Sequence, residues 1–224
     1  DEMSKDTILF DINETVLDLT TLSAEFKQVF GSEHALPLWF SELLHTSTVC
    51  ISSGLQTNFA ALAEAMLDNI AVRYAVVLSA TKKAQLLANF AKLAAHADIK
   101  PALSRLRAAG FKTVAFSNSS TQLLTSQLEN AGIIDYFDTV ISVEQTGSFK
   151  PDPQVYKFAA STLEQPVTSL RLVAAHDWDT HGALSAGLKA AFIDRKGLPY
   201  HPLYRQVDIY ATSMDAIVEQ IIQQ

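Results

Sequence analysis

Short apolar runs recur along the chain, separated by stretches in which apolar residues return every three or four positions. Residues 7–11 (TILFD) form the first run. Residues 112–117 (KTVAFS), 139–142 (TVIS), 171–175 (RLVAA) and 190–194 (AAFID) repeat its shape, with a weaker instance at 208–211. Apolar residues at consecutive positions, without alternation, predict strands buried on both faces. Helical patterns lie between them at 101–109, 121–131, 153–163 and 179–186. Gly110, Gly132 and Gly187 follow three of these, where a left-handed residue closes a helix. Pro153 suits a first helical turn, and Ser213 is positioned to cap a last helix running to about Gln223. Strands alternating with helices predict an α/β fold, a parallel sheet covered on both faces.

The alternation fails after the first strand. Residues 17–96 show helix-length patterns only, at 20–30, 37–48, 58–74 and 82–95. A strand-to-strand crossover usually needs about a dozen residues or somewhat more, so about 80 predict an inserted helical cap. The expected division is a core of residues 1–16 and 97–224 with a cap of residues 17–96. Between residues 17 and 80 the only lysine or arginine residues are Lys27 and Arg73.

Composition narrows the class. A length of 224 residues suits one core with an insert. With 48% hydrophobic and 18% charged residues, the chain reads as globular rather than disordered, collagenous or coiled-coil. Cys50 is the sole cysteine, which excludes an intrachain disulfide and a multi-thiolate zinc site and fits a reducing cytoplasm. The first residues, Asp-Glu-Met-Ser-Lys, lack the basic start and apolar run of a signal peptide, so none is expected. No apolar run approaches the roughly 20 residues of a membrane span. The net charge of −7 argues against nucleic acid as a partner.

Ligands of open parallel sheets bind beyond the carboxyl ends of the strands. There the chain places Asp11, Asn13 and Thr15; then Ser117, Asn118 and Ser119; then Lys150; then His176, Asp177, Trp178 and Asp179. An ionised aspartate can attack carbon or phosphorus and form a covalent ester or acyl phosphate. A nearby lysine favours its charged form. Hydroxyls, amides and backbone N–H groups can hold an anionic substrate, and a second carboxylate can activate water.

Residues 10–18 (FDINETVLD) resemble the first motif of the haloacid dehalogenase superfamily. Ser117-Asn118-Ser119 resembles the second, Lys150-Pro151-Asp152-Pro153 with Tyr156 the third, and the stretch from Val173 through Asp179 to Gly182-Ala183 the fourth. The resemblance covers residues 7 to about 195, with the insert following the first motif. It implies a Rossmann-like core with a mobile cap. Within the superfamily the chain is most similar to the type II, or L-2-haloacid, dehalogenases, which act without a metal or other cofactor. The resemblance then implies that Asp11 displaces halide from C2 of a small anionic organic acid with inversion. Water activated by Asp179, with help from Lys150, would hydrolyse the ester to a 2-hydroxy acid. Ser117 and the Asn118 backbone would hold the substrate carboxylate, Thr15 would orient Asp11, and Tyr156 would support Lys150. Trp178, Phe59 and Leu44 match positions lining the apolar pocket, and a homodimer through an exposed cap helix is compatible with that branch.

Three departures are visible. Type II dehalogenases carry a cap arginine beside a tryptophan to receive halide; here Phe40 follows Trp39. The fourth motif has His176 in place of asparagine and Ala174 in place of serine, and Asn13 stands where tyrosine is common. The main alternative is a Mg²⁺-dependent small-molecule phosphatase of the same superfamily. Against it, Asn13 replaces the usual second aspartate and Ala174-Ala175 falls on the metal-binding Gly-Asp pair, although Asp177 is a candidate replacement. A catalytically inactive binding protein is a further alternative. A receiver domain also uses a strand-end aspartate, a hydroxyl and a lysine, but lacks such an insert. Asp179 also fits a helix N-cap, and Phe40, Leu44 and Phe59 also fit the cap's own core. Five-residue spacing does not place His176 and His181 on one helical face as a metal pair.

Overall fold

The computed structural model describes residues 4–224. In chain order the elements are β1 (Thr7–Phe10), β2 (Leu17–Asp18), α1 (Ser23–Phe30), α2 (Ala35–Ser53), α3 (Phe59–Arg73), α4 (Ala80–Phe90), β3 (Ala94–Ala95), α5 (Ile99–Ala108), β4 (Lys112–Ser117), α6 (Thr121–Asn130), β5 (Thr139–Ser142), α7 (Pro153–Thr162), β6 (Leu170–Ala174), α8 (Asp177–Ser185), β7 (Lys189–Ile193), β8 (Ile209–Ala211) and α9 (Met214–Ile222). Short 3₁₀ turns complete the path.

Six strands form one parallel sheet in the order β5-β4-β1-β6-β7-β8. Counting only these strands, the order is 3-2-1-4-5-6, the doubly wound arrangement in which the chain leaves the first strand in both directions. Every residue of β1 is buried, because β4 and β6 flank it and helices cover it above and below. α5 packs on α9, and α7 on α8. Right-handed crossovers put these pairs on opposite faces. The chain turns away at α5 and α8 through Gly110 (φ +91°) and Gly187 (φ +99°), a conformation costly for residues with a Cβ.

Between β2 and β3, which pair antiparallel as a small ribbon, lie α1 to α4. Trp39 of α2 ties them together. Its ring meets Phe26 of α1 at 5.2 Å and Phe90 of α4 edge-on at 5.1 Å, and its indole N–H donates to the Ala63 carbonyl of α3 at 3.0 Å. Satisfying that N–H is the condition for burying so large a ring. The helical pattern at 82–95 stops short: α4 ends at Phe90, and Ala94–Ala95 are extended. Alanine favours helix, but pairing with Leu17–Asp18 overrides that preference. Arg195 clamps the neck of the insert, donating to both carboxylate oxygens of Asp98 at 2.9 Å and to the Thr15 carbonyl at 3.0 Å. Among the described residues, no helix is long and apolar enough to cross a membrane.

Gly182 of α8 has a packing role. A Cβ there would lie 2.6 Å from both Pro151 Cβ and the Tyr156 hydroxyl. Gly182→Ala is therefore expected to lower stability by about 1–3 kcal/mol through overpacking. An unchanged urea midpoint would contradict that account.

Candidate active site

The ends of β1, β4 and β6, at the point where the sheet order reverses, bring one set of side chains together. Asp11 directly follows β1 and extends its ladder, its N–H donating to the Val173 carbonyl at 3.0 Å. The Lys150 ammonium donates to Asp11 Oδ1 at 3.2 Å, to Asp179 Oδ2 at 2.9 Å and to the Phe116 carbonyl at 2.7 Å. All three of its protons are thereby used. Thr15 donates to Asp11 Oδ2 at 2.8 Å and accepts the Ala175 N–H at 2.9 Å, fixing the carboxylate from below.

Electrostatics follow from this packing. Burial by itself would raise the Asp11 pKa, but Lys150, then His176 and Thr15, hold the carboxyl well below its usual range. Lys150 is fully buried, which would favour its neutral form; the charges of Asp179 and Asp11 outweigh this and hold it protonated. Asp179 lies above its ordinary value. Burial is the largest cause and Asp11 adds to it, against the pull of Lys150 and the Tyr156 hydrogen bond. The two carboxylates are thus driven apart in basicity, Asp11 ionised and Asp179 the better proton acceptor.

His176 sits on the other side of Asp11, Nδ1 at 3.2 Å from Oδ2, with Nε2 at 2.9 Å from Glu14 Oε1. Burial would deprotonate the imidazole, but Asp11 and Glu14 push its pKa up to about 10. Glu14 also pairs with Lys196 and occupies a left-handed backbone position (φ +72°). A non-glycine residue held there is strained, and the turn after β1 is where that strain aims Glu14 at His176. Nothing in the spacing of the first motif singled out Glu14; only the backbone dihedral and the contact reveal it.

The remaining expected residues fall in two groups. Asn13, Asn118, Phe40, Leu44, Phe59, His176 and Trp178 line one small cavity with Asp11. Both polar ends of Asn13 are engaged, however, its amide donating to Ser119 Oγ at 3.1 Å and its carbonyl accepting from Gln127 at 3.0 Å. Gln127 also donates to the Phe90 carbonyl at 3.2 Å and so joins core to insert, a role invisible in sequence. Ser117 is fully buried and accepts the Ser119 N–H at 3.0 Å. Tyr156 does not reach Lys150 as expected. Its hydroxyl donates to Asp179 Oδ1 at 2.6 Å, because α7 and α8 pack side by side. α8 begins at Asp177, so Asp179 belongs to the first turn and is not the N-cap.

The cavity beside Asp11 has a volume of about 10 Å³, room for one water at most. A larger cavity of about 280 Å³ under α2, bordered by Lys150 and Tyr204, shares Leu44 and Trp178 with it. The donor set does not fit a magnesium ion. Ala174-Ala175 offer no side-chain oxygen, Asp177 is spent on the His201 N–H at 3.1 Å, and no cluster of three metal-ligating side chains occurs among the described residues.

A buried carboxylate fixed by lysine thus sits at the switch point of a doubly wound α/β sheet, beside a helical insert. Residues 5–170 match the haloacid dehalogenase-like hydrolase family, and the chain belongs to it. It is 29% identical over 193 residues to (S)-2-haloacid dehalogenase 1 of Pseudomonas sp. (strain CBS-3), covering 85% of each chain. It is 26% identical to the (S)-2-haloacid dehalogenase of Pseudomonas sp. (strain YL), covering 95% of this chain and 92% of that one. A solved L-2-haloacid dehalogenase superposes with a TM-score of 0.94 at 24% identity, over 99% of this chain and 100% of its own, which establishes the shared fold.

Two measurements test these electrostatics. Because the folded His176 value of about 10 exceeds the ordinary 6.5, its stabilising charge is fully present below about pH 6.5 and lost as pH rises through about 10. The melting-temperature gap between wild type and His176→Asn is expected to be widest below pH 6.5 and to shrink toward pH 10. An imidazole titrating near 6.5 by NMR would refute the assignment. Lys150→Met leaves two buried carboxylates without a cation, and is expected to cost about 3–5 kcal/mol at neutral pH. Equal urea midpoints would show that the pair is not structural.

Proposed function

We propose that the protein is a metal-free dehalogenase of small (S)-2-haloacids with Asp11 as nucleophile. The observation that carries this reading is the bridge Asp11–Lys150–Asp179, which holds one carboxylate ionised beside another of raised basicity, with Asn13 and Ala174-Ala175 where a phosphatase carries its second aspartate and its metal-binding Gly-Asp pair. The curated relatives named above are themselves (S)-2-haloacid dehalogenases, which supports it.

In this reading an Asp11 oxygen attacks C2, and halide departs with the carbon–halogen electron pair, leaving an ester with inverted configuration. Lys150 keeps Asp11 ionised before attack, and Thr15 fixes its rotamer. Water then adds to the ester carbonyl while Asp179 takes its proton. Collapse breaks the ester bond as Asp179 returns its proton to the departing C2 oxygen, the second water proton passes to solvent, and the Asp11 carboxylate and a 2-hydroxy acid are left. Tyr156 holds Asp179 in place for this step. Ser117 and the Asn118 backbone bind the substrate carboxylate, while Phe40, Leu44, Phe59 and Trp178 form the apolar wall. Residues 17–96 act as a cap over the strand ends. Assembly as a homodimer and residence in the cytoplasm belong to the same proposal.

A paired assay with chelator present tests it. Halide release from (S)-2-chloropropionate is expected, with no phosphate release from a generic phosphoester. Asp11→Asn should lower halide release by at least about 1,000-fold, as for loss of a nucleophile. Mg²⁺-dependent phosphate release without halide release would favour the phosphatase, and turnover of neither substrate would favour a binding protein.

A further inference from the structure

The proposed reaction creates a halide ion in a cavity that no lysine or arginine of the cap lines. Lys27 and Arg73 are the only lysine or arginine residues between 17 and 80. Arg73 is spent on the surface, paired with Glu42 at 3.5 Å and donating to Asn69 at 2.9 Å. At the position facing the site stands Phe40, its ring 6.3 Å from that of His176. Lys150 has no proton to spare, since all three are donated to Asp11, Asp179 and Phe116.

The side chains lining the cavity narrow the choice. Phe40, Leu44 and Phe59 are apolar, Asp11 is an acceptor, and Asn13 already donates to Ser119 and accepts from Gln127. Two donors stand out: Asn118 Nδ2 is buried without a hydrogen-bond partner, and His176 Nδ1 meets only Asp11 Oδ2, at 3.2 Å. Each is aimed by its other polar atom. Asn118 Oδ1 accepts the Lys150 N–H at 2.8 Å, and His176 Nε2 meets Glu14 at 2.9 Å. The imidazole is further held by stacking on Trp178, with ring centroids 5.2 Å apart and planes inclined by 17°. Unsatisfied buried donors are costly unless a ligand completes them.

We infer that His176, beside the Asn118 side-chain amide, forms the cradle that receives the departing halide and supplies from the core a cation that the cap does not bring to the cavity. Resting on the dehalogenase reading, this makes His176 a catalytic residue and Glu14 its positioning residue. Charge is conserved along the step. While Asp11 is ionised, its Oδ2 lies 3.2 Å from Nδ1, close but not aligned for a hydrogen bond. Ester formation neutralises Asp11, and the negative charge reappears on the halide, which accepts the hydrogen bond from Nδ1. The proton stays on His176, because halide is a far weaker base than imidazole.

Single-turnover halide bursts from (S)-2-chloro-, 2-bromo- and 2-iodopropionate isolate ester formation. Chloride, the strongest hydrogen-bond acceptor of the three, depends most on the cradle. His176→Asn is expected to slow the chloride burst by about 100-fold, the scale for losing one donor to developing charge, and the iodide burst by distinctly less. Glu14→Gln should shift the same ratio in the same direction by a smaller amount. Imidazole added to His176→Gly should restore the chloride burst, which separates a chemical role from a folding defect. Bromide quenching of Trp178 fluorescence reads occupancy without turnover and should weaken in His176→Asn; Trp39, only 1% exposed, is shielded from quenching. Equal slowing for all three halides, or unchanged quenching, would overturn the cradle. No halide release by the wild type from any of the three would reject the dehalogenase reading instead, and the cradle would then stand or fall on the quenching alone.

Discussion

The burial of Lys150 between two aspartates is the constraint on which the site depends. An ammonium inside a core is tolerated only when its charge is matched and its protons are all donated, and here both conditions hold. Meeting them requires β1, β4, α8 and the loop after β5 to converge to within hydrogen-bond distance. The same contacts that make the burial tolerable therefore fix Asp11, Asp179 and Lys150 relative to one another.

The pattern continues outward from that pair. Asp179, Lys150, Asp11, His176, Glu14 and Lys196 form a line of alternating charge from the interior toward the surface. Lys150 and His176 are held protonated by the acids beside them. A chain with a net charge of −7 would repel an anionic substrate at long range. Two buried cations within a few ångströms of Asp11 reverse that field locally, where low dielectric strengthens their effect.

The insert contributes shape rather than charge. Trp39 binds four helices into one unit, and α2 then presents Phe40 and Leu44 to the strand ends. With apolar side chains on that side, Asp11 sits in a cavity with room for one water at most. In the proposed reading, admission of a substrate requires these side chains to move, so the insert would govern access and the core the chemistry.

The sheet strands and most core helices were legible from sequence, since residues such as those of β1 and β4 are apolar on consecutive positions for one local reason, burial on both faces; β5, at the sheet edge, leaves Val140 exposed instead. Asp11, Lys150 and Asp179 were legible as candidates because strand ends and motif order mark them. Ala94–Ala95 were not, because a two-residue ribbon is created by its distant partner against local helix preference. The destination of the Tyr156 hydroxyl, the engagement of Asn13 by Gln127 and the pairing of Glu14 with His176 were not legible either. Each joins residues more than 20 positions apart, through side-chain directions set by helix packing. Local periodicity determined which elements form and which residues stand at their ends. Tertiary packing alone decided which donors are spent and which, at Asn118 and His176, are left without a hydrogen bond beside Asp11.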